Sequence, residues 1–126
     1  MRLLIAASSL LFLAAPGTAG EQHKDKVPAA TPAGEPVDCL RLTDIRDTKV
    51  RDDRTIDFIT NGRKVYRNTL DSACPQLGFE QRFAHKTSTN DLCSLDTITV
   101  LVSPGLSRGA TCGLGKFQPV TLDGAR

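Results

Sequence analysis

The 126-residue chain has no apolar run long enough to span a membrane, no large excess of either charge, no closely spaced cysteine pair and no sustained helical periodicity. Each absence excludes something. A spanning helix needs ~20 consecutive apolar residues, and the longest apolar run, residues 3–15, is shorter than that. Sixteen Lys and Arg stand against fourteen Asp and Glu, so no basic surplus is present to displace counterions from a nucleic acid, and no nucleic-acid partner is expected. Structural zinc sites draw their thiolates from Cys-x-x-Cys pairs, whereas Cys39, Cys74, Cys93 and Cys112 are all well separated. No metal or cofactor motif stands in the sequence, and none is expected to be bound. No internal repeat is visible.

What is present begins with Arg2, the apolar run, and the small residues Gly17, Thr18, Ala19 and Gly20. That three-part layout predicts a cleaved secretory signal peptide over residues 1–19. Its removal would take Arg2 with it and leave the chain nearly neutral, soluble, and periplasmic or extracellular. No cysteine follows the run closely, so a lipid anchor is not expected. Residues 20–37 are Ala, Pro, Thr and alternating charge, a composition too poor in apolar groups to offset its ordering entropy, and they read as a disordered tether. The folded unit is expected over residues 38–122, with residues 123–126 as a tail.

Export places the four cysteines where disulfides persist, and four cysteines allow three connectivities. Short apolar runs with frequent turn residues predict six strands, at residues 39–46 with a bulge near Thr43, 55–60, 64–70, 79–86, 95–102 and 116–122. Asn61-Gly62 is a strong hairpin signal between the second and third. Pro119 cannot donate to a ladder and marks the last strand as an edge. The expected fold is all-β, a small six-stranded antiparallel barrel or sandwich tied by two disulfides. In a simple meander, strand parity puts Cys39 near Cys93 and Cys74 near Cys112; the long segment 84–92 leaves Cys74 with Cys93 as the alternative.

Several motifs resemble chemistry and fail their context. Gly105-Leu106-Ser107-Arg108-Gly109 matches the nucleophile elbow, but the residues after Ser107 are poor helix formers and no His follows His85. Gly113-Leu114-Gly115-Lys116 resembles a phosphate loop, yet Ala110 and Phe117 stand where Gly and Ser/Thr are required. Asp44, Asp47, Asp52, Asp53 and Asp57 are interleaved with Arg46, Lys49, Arg51 and Arg54, the pattern of a solvated strand and turn rather than a calcium loop. His85 shares strand parity with Phe79 and Phe83, with Asp71 or Asp91 as the only carboxylates to orient it as a base. The one positive hint of recognition is a basic stretch in which Tyr66, Arg67 and Arg82 would form an anion patch if the third and fourth strands were neighbours.

The ordered set Cys39-Leu40, Asp52-Asp53-Arg54-Thr55-Ile56, Tyr66-Arg67-Asn68-Thr69-Leu70 with Cys74 and Leu77, Leu92-Cys93 with Asp96 and Ile98, and Cys112 with Leu114 and Phe117 resembles a family of small exported four-cysteine proteobacterial proteins, a domain of unknown function. The resemblance covers about residues 39–120 and implies export and a cysteine-tied β domain, with no activity to carry over. The expected function is a non-enzymatic exported domain that binds or protects a protein or anionic small-molecule partner. The alternatives are an inhibitor of a secreted or cell-wall enzyme, presenting residues 103–111, and a small hydrolase using Ser107 or His85.

Overall fold

The computed structural model describes residues 27–124. The expected signal peptide, the first residues of the segment 20–37 and the last two residues lie outside the described residues. In chain order the strands are β1 (Ala30–Pro32), β2 (Cys39–Arg41), β3 (Ile45–Val50), β4 (Thr55–Thr60), β5 (Val65–Thr69), β6 (Phe83–Lys86), β7 (Asp91–Cys93), β8 (Thr97–Val102), β9 (Ser107–Gly113) and β10 (Phe117–Leu122); one helical turn, α1 (Leu77–Glu80), stands between β5 and β6. They form a five-stranded sheet in the order β1-β10-β5-β4-β3, the pair β2-β7, and a three-stranded sheet β6-β8-β9, all antiparallel. The fold is all-β as expected, but the sheets do not close into a barrel.

The β4–β5 hairpin organises the large sheet. Its loop is three residues, Asn61 to Arg63, closed by the Thr60 N–H donating to the Lys64 carbonyl at 2.8 Å. The left-handed positions are Gly62 (φ 72°) and Arg63 (φ 61°), so the Asn-Gly pair does not make the two-residue turn that its sequence favours. The extra loop residue shifts the register by one, setting Ile59 opposite Val65 and Asp57 opposite Arg67.

Five expectations are corrected. Part of the expected tether is ordered: β1 pairs with β10, because an extended Ala-Thr-Pro segment offers backbone partners without needing an apolar face of its own. That pairing makes β10 an interior strand despite Pro119. The Pro119 carbonyl accepts from Ala33 N–H, and since both backbone groups of a residue point to the same neighbour, the missing donor falls where β1 ends. The first expected strand is broken by a 3-10 turn at Leu42–Asp44, so it becomes β2 and β3, and the bulge lies between Ile45 and Asp47. The strand expected at residue 79 starts only at Phe83. Gln76 (φ 69°) and Gln81 (φ 57°) bracket a helical turn held by Gly78 N–H donating to Asp53 Oδ1 at 2.7 Å, which buries Leu77 and leaves Phe79 86% exposed.

The fifth correction is β9, which falls in the stretch 103–115 where no strand was expected. Gly109 lies against the irregularity between Thr99 and Leu101, where a Cβ would meet Val102 Cγ2 at 2.8 Å. Here glycine permits close strand approach instead of marking a loop.

Alternate residues of the large sheet and the inner sides of the two smaller sheets enclose one core. Ile56, Phe58, Phe117, Leu92, Ile98 and Val100 are at most 1% exposed, and Phe58 meets Phe117 edge-on at a 5.3 Å centroid distance. Asn68 is buried among them with its amide satisfied: Nδ2 donates to the Gly115 carbonyl at 2.7 Å and Oδ1 accepts from Gly115 N–H at 2.9 Å.

The disulfides are Cys39–Cys93 and Cys74–Cys112. The first joins direct cross-strand partners of β2 and β7; the second ties the segment before α1 to β9. The pairing is the one that strand parity favoured, although the topology is not a simple meander.

Two tests follow from this packing. A Cβ on Gly115 would collide with the Thr69 carbonyl oxygen, a backbone atom that cannot swing away, so Gly115→Ala should lower unfolding free energy in urea by about 1–3 kcal/mol. Reducing both cross-links should remove about 2–4 kcal/mol each, enough to unfold a domain whose whole stability is of order 5–15 kcal/mol. A reduced protein that keeps its cooperative transition would contradict this.

Candidate binding face

The face of the five-stranded sheet turned away from the core is built from two adjacent rows. Strand alternation sends Val50, Ile56, Phe58, Asn68 and Phe117 inward and their sequence neighbours outward. Register then aligns Lys49, Asp57, Arg67 and Gln118 in one outer row, and Asp47, Ile59, Val65, Val120 and Pro32 in the next. The first row is charged and the second largely apolar.

Asp57 anchors the charged row. It has no solvent exposure, and its carboxylate accepts from Arg67 Nε at 2.8 Å and Nη2 at 3.0 Å and from Arg51 Nε at 2.9 Å. Both arginine side chains are more than four-fifths covered. Burial pushes the Asp57 pKa up, but the hydrogen bonds and charges of Arg67 and Arg51 outweigh it and hold the carboxyl below its ordinary value. One carboxylate shared by two guanidiniums leaves the cluster with a net positive charge.

The apolar row forms the floor of an open groove of roughly 1280 Å³. Ile59, Val65 and Leu122 line it half-buried, and Val120, only 9% exposed, lies buried among them. Its cationic lining residues are Lys49, Arg51, Arg63 and Lys64, against Asp123 as the one acid. Lys49 lies 3.6 Å from Asp47 in an exposed pair, the kind of contact that adds little stability and exchanges readily. Among the described residues no helix or second sheet packs over this face.

The anion patch expected from Tyr66, Arg67 and Arg82 does not assemble. Tyr66 faces the core and lies under Lys64 Nζ, 5.2 Å from its ring centre, while Arg67, the next residue, points to the opposite face and is engaged by Asp57. Arg82 stands exposed between α1 and β6, just before the first strand of the three-stranded sheet. The premise that the third and fourth strands are neighbours fails because β5 pairs with β4 and β10, whereas β6 pairs with β8.

The remaining candidates are dispersed. Ser107 opens β9 rather than a helix, and its Oγ donates to the Val102 carbonyl at 3.5 Å. His85 is exposed on β6 at the mouth of a small apolar recess beside Phe58 and Phe83; among the described residues no hydrogen bond joins it to a carboxylate. The acidic residues expected to form one solvated face diverge: Asp52 Oδ1 accepts from Arg54 N–H, Asp53 from Gly78 N–H, Asp44 from Asn61 Nδ2, and Asp57 is buried. Comparison with protein-family models, with curated proteins and with solved structures finds no match to this chain.

The Arg51–Asp57–Arg67 cluster was missed by sequence reasoning, though a signal existed. A lone acid inside the apolar run Thr55–Thr60 needs cationic partners, and counting out from the hairpin supplies one. A two-residue loop at Asn61-Gly62 would have set Asp57 opposite Tyr66; the observed three-residue loop sets it opposite Arg67.

Because the folded-state pKa of Asp57 is lowered, its stabilisation is fully present above the unfolded carboxyl value of ~3.9 and is lost as pH falls below it through the folded value. Wild-type unfolding free energy should therefore decline below about pH 4. Asp57→Asn, which leaves two buried guanidiniums without their counter-ion, should cost about 3–5 kcal/mol at neutral pH and flatten that acid limb. An unchanged acid limb in the variant, followed by urea titration at successive pH values, would assign the pH dependence to other carboxylates.

Proposed function

We propose that this is an exported, non-enzymatic binding domain that holds an anionic, partly apolar partner on the outer face of its five-stranded sheet. The observation that carries the reading is the half-buried apolar pair Ile59 and Val65, with Val120 buried beside it, in an open groove whose lining includes Lys49, Arg51 and Arg63. Partly exposed apolar surface rimmed by charge is a feature of recognition surfaces. Two disulfides fit an oxidising environment. Together with the leader-like N-terminus they support a periplasmic or extracellular location, and with the resemblance to the four-cysteine proteobacterial family they support export as the setting in which the face works.

A second reading, inhibition of a secreted or cell-wall enzyme, has its own supporting observation. The turn between β8 and β9 carries Leu106 at φ 54° and 49% exposed, and it is braced where Glu80 Oε2 accepts from Ser103 N–H at 3.2 Å and Ser103 Oγ at 3.0 Å. A braced turn with a projecting apolar side chain is suited to entering a partner's pocket.

Capture from a periplasmic extract, read by mass spectrometry, separates the two. On the leading reading Val65→Asp abolishes capture, while Leu106→Asp and Ser107→Ala retain it. Capture of an enzyme that the protein slows, lost with Leu106→Asp and kept with Val65→Asp, would transfer the function to the turn.

A further inference from the structure

We infer that the free edge of β6 takes up an extended polypeptide segment of a partner protein in which apolar and acidic residues alternate, at a site separate from the outer face of the large sheet.

Register decides which backbone groups are free. Leu101 N–H donates to the Arg82 carbonyl at 3.0 Å, which makes these opposed residues a hydrogen-bonded pair, and alternation bonds Ala84 to Thr99 and Lys86 to Thr97 in the same way. The N–H and C=O groups of Phe83 and His85 therefore point away from β8. β6 is the outer strand of its sheet, and among the described residues no further strand pairs with it. The other sheet edges carry devices against strand addition. Thr48 N–H on β3 donates to the neighbouring Asp47 Oδ1 at 2.8 Å, β1 contains Pro32, β9 is interrupted by the irregularity opposite Thr99 and Leu101, and β2 and β7 are only three residues long. β6 keeps an unbroken register along its length.

The two faces of such an added strand meet different surroundings. Phe83 and His85 lie opposite Val100 and Ile98, and their side chains line a recess of roughly 330 Å³ whose walls include Ile45, Phe58 and Leu92. Residues set opposite Phe83 and His85 would stand over that recess, where apolar side chains are covered. Their sequence neighbours would fall on the other face, which is cationic. Arg82 and Lys86 flank Ala84, Arg108 stands across Leu101 from Arg82, and the remaining strand positions of that face, Thr97, Thr99, Thr111 and Gly113, carry no charge. Among the described residues none of the three cations is in a salt bridge. An acid opposite Ala84 would lie diagonal to both Arg82 and Lys86, within reach of long side chains.

Free main-chain groups call for a polypeptide, and the alternation of recess and charge sets its sequence class. A second copy of this chain does not fit. β6 laid antiparallel against itself about Ala84 would bring Arg82 of each copy opposite Lys86 of the other, and like charges directly opposed are destabilising. Residues 20–26 of the chain do not fit either, since they hold two lysines and no large apolar residue.

The test is titration of the oxidised full domain with a labelled, acetylated heptapeptide of alternating leucine and glutamate, followed by fluorescence anisotropy below the concentration at which the peptide associates with itself. It should bind at one site, and a leucine–lysine counterpart should bind at least about tenfold more weakly. N-methylation of the leucines, whose amides would face β6, should weaken binding by about tenfold or more, whereas N-methylation of the glutamates should change it by less than about twofold. Arg82→Glu combined with Lys86→Glu should reverse the preference between the two peptides. His85→Pro removes an edge N–H that β8 does not use and should abolish binding; should that variant unfold, the two methylated peptides decide the matter on the wild-type protein. Equal affinity for both charge types, indifference to methylation of the leucines, or no binding of the leucine–glutamate peptide at about 1 mM would overturn the inference. So would peptide binding lost with Val65→Asp and kept with His85→Pro, which would move the peptide to the large sheet. Binding that appears only after residues 20–26 are removed, or a dimer that His85→Pro dissolves, would overturn the choice of occupant and give the edge to the chain's own N-terminal segment or to a second copy.

Discussion

A carboxylate with no access to water sits in the middle of the strand that forms the floor of the core. Asp57 is flanked by Ile56 and Phe58, both fully enclosed on the other side of the same strand. Because side chains alternate along a strand, a slip of one residue would turn Phe58 outward and drive Asp57 into the apolar interior. The position is tolerable only if two guanidiniums reach it from the neighbouring strands, Arg67 from β5 and Arg51 from the end of β3. The three-residue loop, the β4–β5 register and the ion cluster are thus one constraint expressed at three levels. Losing any of them costs the other two.

The same constraint shapes the outer face. Arg67 is taken up by Asp57 and cannot serve as an independent anion receptor, which is why a patch inferred from its position in the sequence does not exist. What remains is the excess: one carboxylate cannot neutralise two guanidiniums, and Lys49, opposite Asp57 in the register, stands beside them. The neighbouring row is apolar for the same geometric reason, since Ile59 and Val65 are the next outward residues after Asp57 and Arg67 once the register is fixed.

The sequence made some of this legible and hid the rest for identifiable reasons. The run Thr55–Thr60, the return strand after Asn61-Gly62, and Ile98, Val100 and Val102 facing one way on β8 all announce themselves through β-branched residues and alternation, and the cysteine pairing followed from coarse parity. Phe79 misled, because an aromatic residue in step with Phe83 looks like a core position; the contact that decides otherwise, Gly78 against Asp53, is twenty-five residues away in sequence. β1 and β9 were hidden for a shared reason. Neither carries enough apolar residues to signal burial, and each is ordered by backbone pairing to a better-defined neighbour, β10 and β8. Long-range pairing of weakly patterned segments is the kind of structure that local composition does not encode. The outer groove was out of reach until it was known that β10 is interior, since Val120 and Leu122 reach the groove from that strand.

An apolar row only half-covered is a liability, and its retention in so small a domain depends on where the cross-links act. Both disulfides lie on the far side of the core from the groove: Cys39–Cys93 in the β2–β7 pair, Cys74–Cys112 between the α1 segment and β9. They stabilise the fold without covering the outer face. The β3 edge of the large sheet is protected from pairing with other chains by Arg46, Asp47 and Lys49, charged residues of the kind that discourage strand addition. With its edge guarded by charge and its inner face sealed in the core, the sheet keeps a partly exposed apolar surface at Ile59 and Val65. Recognition through side chains on its face, rather than through backbone pairing at its edge, is the mode this arrangement favours.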